Sequence, residues 1–240
     1  MQLLGPAPRG KERPESLAER IYAQLKDDIF EFRLLPGDRF SESEIAVRMS
    51  ASRTPVRLAL YRLEREGYLE VYFRSGWQVR PFDFQHFEEL YDVRVVLEME
   101  AVKRLCEWPD TCWPEALQQL VQTWQVAPAA RLQDGAEVSR LDERFHCQLL
   151  EAAGNREMAR LHAEVSEKIR IIRRLDFTRQ PRIELTYEEH ARILEAILRR
   201  RCEQAQSLLK AHIEVSKAEV RKVTLHMLHN ARQRALAGQG

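Results

Sequence analysis

The chain has almost no net charge, no paired cysteines and no long apolar run, and each lack narrows what it can be. Its 38 basic and 37 acidic residues leave a formal charge of +1, so no global positive field announces a nucleic-acid partner and any such surface must be local. The four cysteines, Cys106, Cys112, Cys147 and Cys202, are scattered without a CxxC pair. Nothing at the start of the chain resembles a signal peptide, and a reducing, cytoplasmic setting is expected. No uninterrupted apolar run approaches the roughly 18 residues a membrane span requires, so a soluble chain with no membrane partner is expected. Neither an HExxH spacing nor a nucleophile motif is present, which argues against a hydrolase. There is no internal repeat and no low-complexity block.

What remains is 240 residues, enough for two units that each bury a core. Residues 1–14 carry Pro and Gly at close spacing with no apolar period and read as a flexible tail, whose Arg9, Lys11 and Arg13 either touch phosphates or stay solvated. Order begins at Ser16, which with Glu19 forms a capping box ahead of Leu17, Ile21, Leu25 and Ile29 on one helical face. Pro36-Gly37 breaks that helix, and Ser41 with Glu44 offers a second capping box before Ile45 and Met49. Ser52 caps a third helix, Pro55 fits its first turn, and Gly67 ends it. Two β-rich runs, Tyr68 to Tyr72 and Trp77 to Val79, flank Phe73-Arg74-Ser75-Gly76 and read as a hairpin, a wing.

From Asp83 onward the texture is long helical periods with almost no Gly, and helices are placed at 84–106, 114–126, 133–153, 156–176, 187–200 and 202–230. The expected class is therefore mainly α: a winged helix-turn-helix over 15–81, then an all-helical bundle over 82–232.

A helix that enters the major groove needs forked cations and small hydroxyls at its N-terminal turn, where base edges and phosphates converge. Ser52-Arg53-Thr54-Pro55-Val56-Arg57 supplies them, with Arg53 and Arg57 on one face and Val56, Leu60 and Leu63 on the other. Between Arg48 and Arg65 stand five arginines and one acid, Glu64, so the positive charge missing from the whole is concentrated here. The run LLPGDRFSESEIAVRMSASRTPVRLALYRLEREGYLEV resembles the DNA-binding signature of GntR-type bacterial regulators. That resemblance implies operator contacts by Ser52, Arg53, Thr54, Arg57 and Gly76, with Ser43 as a weaker candidate. Leu58 stands where the signature usually has Glu, which loosens the expected orientation of Arg57.

Asp142 and His146 are four apart, a spacing that puts both on one helix face and permits a shared ion. His190 and His212 lie among apolar residues at helical spacing and are expected to point inward, as ligands or as hydrogen-bonded core residues. The stretch from about 83 to 225 resembles the FCD effector domain of the FadR subgroup of these regulators, on Asp142, His146, Gly154-Asn155, His190 and His212. The resemblance implies one divalent transition metal held by Asp142, His146, His190 and His212, with zinc or nickel favoured by the imidazoles.

It also implies a small organic acid as effector. Arg94, within LYDVRVVLE, either pairs with the acid's carboxylate or forms a surface ion pair with Glu98. Thr186 either lines the pocket or makes a capping box with Glu189; Asn155 ends a helix and then reaches the pocket. Arg170, Arg173 and Arg174 are further lining candidates. The reading is a homodimeric regulator, expected to act as a repressor, on an inverted-repeat operator, with a metalloregulator or a metal-dependent hydrolase as the alternatives.

Overall fold

The computed structural model describes residues 16–73, 76–109, 112–176, 180–220, 222–223 and 225–237, so the tail at 1–14 and the wing-tip pair Arg74-Ser75 lie outside the described residues. The chain divides into two compact units, Met1–Pro81 and Phe82–Gly240.

The first unit orders as α1 (Leu17–Phe30), β1 (Arg39–Ser41), α2 (Glu42–Arg48), α3 (Arg53–Arg65), β2 (Leu69–Tyr72) and β3 (Gly76–Val79). Ser16 Oγ accepts the Glu19 amide at 3.2 Å, and Ile21, Leu25 and Ile29 form the buried face of α1; Leu17, expected on that face, is 44% exposed. At α2 both halves of the capping box form, Glu44 N to Ser41 Oγ at 3.2 Å and Ser41 N to Glu44 Oε2 at 2.6 Å. Ser52 occupies the N-cap position of α3 but makes no side-chain capping bond, contrary to expectation. Gly67 takes the left-handed conformation, φ 86, that closes α3.

The sheet is antiparallel in the order β1-β3-β2, with Trp77 opposite both Phe40 and Val71. Strand β1 was not expected: three residues are too few for an alternating pattern to register. Leu25, Val56, Leu60, Leu63 and Leu69 close the core with no exposure, each contributing roughly 1.5–3 kcal/mol by burial.

The second unit holds α4 (Phe84–Cys106), α5 (Glu115–Trp124), α6 (Gly135–Ala152), α7 (Arg156–Asp176), α8 (Gln180–Leu198), α9 (Cys202–Val220) and α10 (Leu225–Ala237), with a short 3-10 turn at Pro128–Ala130. Helix α4 packs on α6, α7 and α9; α6 packs also on α5 and α7, and α8 on α5 and α9. Two expected boundaries are corrected. Helix α8 begins at Gln180 rather than near 187, so Thr186 lies inside it and caps nothing; its Oγ1 donates to the Arg182 carbonyl at 2.8 Å. The expected helix over 202–230 is two helices, because the chain tightens after Val220 into i to i−3 bonds, Lys222 N to Glu219 O at 2.9 Å and Val223 N to Val220 O at 3.4 Å. No Gly or Pro marks that break. No helix among the described residues is long and apolar enough to cross a membrane.

Candidate DNA-reading face and metal centre

In the first unit Val56, Ala59, Leu60 and Leu63 turn α3 inward, which leaves Ser52, Arg53, Thr54 and Arg57 exposed together at its N-terminal turn. Ser43 is exposed in the first turn of α2, and Gly76 opens β3 opposite Ser41 and Tyr72. The cluster of five arginines is less positive than it reads along the chain. Arg48 pairs with the buried Asp28 at 2.8 Å, and Arg62 with Glu19 at 2.6 Å and Glu66 at 3.1 Å. Arg57 lies against Glu42, Nε to Oε1 at 3.1 Å and NH2 to Oε2 at 2.9 Å, and that contact, with a smaller effect of Arg53, holds the Glu42 carboxyl below its ordinary range. Arg57 is thus steered from the neighbouring helix, although Leu58 replaces the usual acid and is itself 61% exposed. Among the described residues Arg53 makes no hydrogen bond or salt bridge and is exposed.

In the second unit Asp142 and His146 come from α6, His190 from α8 and His212 from α9, and one potential ligand atom from each lies within 4.8 Å of all the others. All four are buried, the most exposed at 3%. Their orientation is enforced from behind. His146 Nδ1 meets Glu98 Oε2 at 2.6 Å and His212 Nδ1 meets Glu189 Oε2 at 2.7 Å; a carboxylate there requires the proton on Nδ1, so each Nε2 presents a lone pair inward. His190 is held by packing instead: its ring stacks on Phe145 with centroids 3.7 Å apart and abuts Trp124 edgewise at 4.1 Å.

Burial first, and then the charge of Arg94, pushes His146 down to about 4, and burial drives His190 well below its ordinary value. Both imidazoles are therefore neutral at pH 7. His212 Nε2 nonetheless sits 3.2 Å from His146 Nε2 and 3.3 Å from His190 Nε2, with Asp142 Oδ1 3.2 Å from His190 Nε2. Asp142 Oδ1 is buried without a hydrogen-bond partner, whereas Oδ2 is held by Arg173 NH2. Burial opposes ionisation of Asp142, but Arg173 and the histidines hold its carboxyl well below the usual range. Convergent lone pairs beside an orphaned anionic oxygen fit a divalent cation, whose charge would satisfy all four at once.

The remaining expected residues separate. Arg94 is not at the surface: it is 1% exposed, its Nε donates to Glu98 Oε1 at 2.6 Å, and its NH2 is buried without a partner. Asn155 does not end a helix. Gly154, at φ 77, closes α6, and Asn155 Oδ1 caps the start of α7 by accepting from Glu157 N and Met158 N, each at 3.1 Å. Thr186 is fully buried one turn before His190. Of the three α7 arginines, Arg173 turns toward the cluster while Arg170 pairs with Glu143.

Sequence reasoning missed the outer residues. Glu98 joins Arg94, His146 and His162 (2.9 Å), and Glu189, read as a cap, joins His212 and Arg182 (2.9 Å). Only the adjacency of Glu189 to His190 and the one-turn spacing of Arg94 and Glu98 hinted at either.

A winged helix-turn-helix joined to a helical unit with a buried three-histidine, one-aspartate cluster defines a class of DNA-binding bacterial regulators. Family comparison agrees: residues 17–79 match "Bacterial regulatory proteins, gntR family" and residues 89–215 match "FCD domain". The chain belongs to the GntR family of transcriptional regulators, in its FadR-like subgroup with an FCD domain, and is a DNA-binding protein rather than an enzyme. It is 30% identical over 187 residues to the Nta operon transcriptional regulator of Aminobacter aminovorans, covering 76% of this chain and 84% of that one. It is 29% identical over 201 residues to the HTH-type transcriptional regulator YdhC of Bacillus subtilis, covering 84% and 89%. A GntR transcriptional regulator from Rhodococcus sp. RHA1 shares the fold, with a TM-score of 0.68 at 22% identity over 86% of this chain and 98% of that one.

Proposed function

We propose that the chain is a homodimeric, effector-responsive repressor that binds a short inverted-repeat operator and senses a small organic acid at a metal held by Asp142, His146, His190 and His212. The observation that carries this reading is the buried Asp142 Oδ1 without a hydrogen-bond partner, facing the imidazoles of His146, His190 and His212. Such a donor set favours zinc or nickel over hard cations that prefer all-oxygen shells. A bound ion would supply a Lewis-acidic anchor for an effector carboxylate.

The chain's own residues supply the rest of the recognition. Arg94 and Arg173 each keep one guanidinium nitrogen buried and unpartnered beside the cluster, which suits an acid that brings its own oxygens. Thr186, one turn from His190, is assigned to the effector side of the cluster. The Asn155 side-chain oxygen is already used by its helix cap, so its part in effector binding rests on its amide nitrogen.

On the output side, Ser52, Arg53, Thr54 and Arg57 read the major groove, with Gly76 at the wing and Ser43 near the backbone. Two such heads must meet successive major grooves about 34 Å apart, so an effector that favours one arrangement of the heads changes operator affinity without touching the reading residues.

The test is a mobility shift on duplexes selected from a random pool by the wild-type protein. Arg53→Ala combined with Arg57→Ala should abolish specific binding, and His190→Ala should keep binding while losing the response to added organic acids. Unchanged affinity in the double arginine variant sinks the reading of the DNA face; a full acid response in His190→Ala sinks the reading of the metal centre.

A further inference from the structure

Helix α4 ends on Cys106 and α9 begins on Cys202. The two helices lie antiparallel in a register set by polar contacts along their length: Lys217 of α9 reaches Asp92 of α4, and Gln206 Nε2 donates to the Met99 carbonyl at 3.0 Å. Following that register to the end of α4 brings Cys106 opposite Cys202. A separate contact fastens the junction. Arg200 takes φ 54 in the turn that closes α8, and its NH1 donates to the carbonyls of Cys106 at 3.2 Å and Trp108 at 2.6 Å. The end of α4 is thereby tied to a residue two positions before Cys202, and Cys202 lies close enough to act on the Cys106 thiol. Both are free thiols, Cys106 buried and Cys202 half-buried.

We propose that Cys106 and Cys202 are a peroxide-sensitive modification site that closes into an intrachain disulfide stapling α4 to α9. The more accessible Cys202 reacts first. Its sulfur forms a bond to one oxygen of hydrogen peroxide, the O–O bond breaks, and one water leaves, giving the sulfenic acid. The Cys106 sulfur then displaces that hydroxyl; the S–S bond forms, and the Cys106 proton leaves with the hydroxyl as a second water. Two thiols are oxidised and one peroxide is reduced to two waters. Burial, and then Cys202 itself, pushes the Cys106 thiol up to about 12, so Cys106 is a poor first nucleophile toward peroxide. The bridge would hold the register between the helix that carries Arg94 and Glu98 and the helix that carries His212, so an oxidant acts on the same two helices that frame the polar cluster.

Reduced full-length protein, treated with graded hydrogen peroxide, alkylated and digested without reductant, is mapped by mass spectrometry. The expected product is a peptide pair joined through Cys106 and Cys202, lighter by two hydrogens and reversed by dithiothreitol, at doses that leave Cys147 alkylatable. Oxidised protein should melt higher than reduced protein. In Cys106→Ser, Cys202 should accumulate as a sulfenic acid trapped by dimedone. The proposal is overturned if Cys106 stays alkylatable while Cys202 is over-oxidised, if Cys202 pairs instead with Cys112 or with a second chain, or if the oxidised protein melts lower.

Discussion

Arg173→Met separates a structural ion pair from a metal ligand. Arg173 and Asp142 are paired at 3% and 5% side-chain exposure, so the Asp142 carboxylate has almost no water to fall back on. Met retains much of the apolar stem and removes the cation. Removing one partner of a buried pair costs about 3–5 kcal/mol. For a unit of this size that corresponds to a fall of roughly 6–20 °C in melting temperature.

This is the cost for metal-free protein. A divalent ion on Asp142, His146, His190 and His212 is a second source of positive charge, so in loaded protein the penalty shrinks toward a lost charge-assisted hydrogen bond, about 1.5–3 kcal/mol. The assay is urea unfolding of wild type and variant, each with chelator and with zinc, followed by fluorescence in a chain whose Trp77, Trp108 and Trp113 are replaced by Phe, which leaves Trp124, its ring centroid 4.1 Å from that of His190, as the reporter. The penalty should be smaller by about 1 kcal/mol or more with zinc. An equal penalty in both conditions would refute the placement of an ion on Asp142. No penalty without metal would refute the claim that the buried carboxylate depends on Arg173.

Acid should destabilise the metal-free helical unit before ordinary carboxylates titrate. Above pH 6.5 His146 is neutral in both folded and unfolded chains and its contribution is intact; as pH falls from 6.5 toward 4, the unfolded chain takes up a proton that the buried imidazole refuses. About 3 kcal/mol is lost across that window, and His190, also depressed, adds to the loss. Unfolding free energies that stay flat from pH 6.5 to 4 would contradict this. Glu189→Gln should weaken zinc binding roughly 10- to 100-fold by removing the carboxylate that orients His212, as read by competition with a chromophoric chelator. An affinity within twofold of wild type would show that the 2.7 Å contact does not organise the cluster.

Local chemistry made much of the molecule legible in advance. A capping box or a left-handed glycine acts over three or four residues, so Ser16, Ser41 and Gly67 marked their boundaries without help from the rest of the chain. The same reach failed at α8. Thr186 and Glu189 have capping-box spacing, yet the preceding residues extend the helix, and burial of Thr186 turns its hydroxyl back onto Arg182. The break after Val220 was also invisible, since no residue there forces a helix to stop.

The sequence alone was enough for the three helices and two wing strands of the first unit, the face of α3 that carries Arg53 and Arg57, and the placement of Asp142 and His146 one turn apart, because caps and helical period act locally. Tertiary structure alone decided which charges remain available and which groups stand behind the cluster. Arg48, Arg57 and Arg62 find their acids on other helices, Arg94 turns out buried against Glu98, Arg173 is chosen over Arg170, and Arg200 ties the end of α4 at Cys106 to the turn before Cys202. Periodicity sets which face of a helix a side chain occupies; only the register between packed helices sets which side chain it faces.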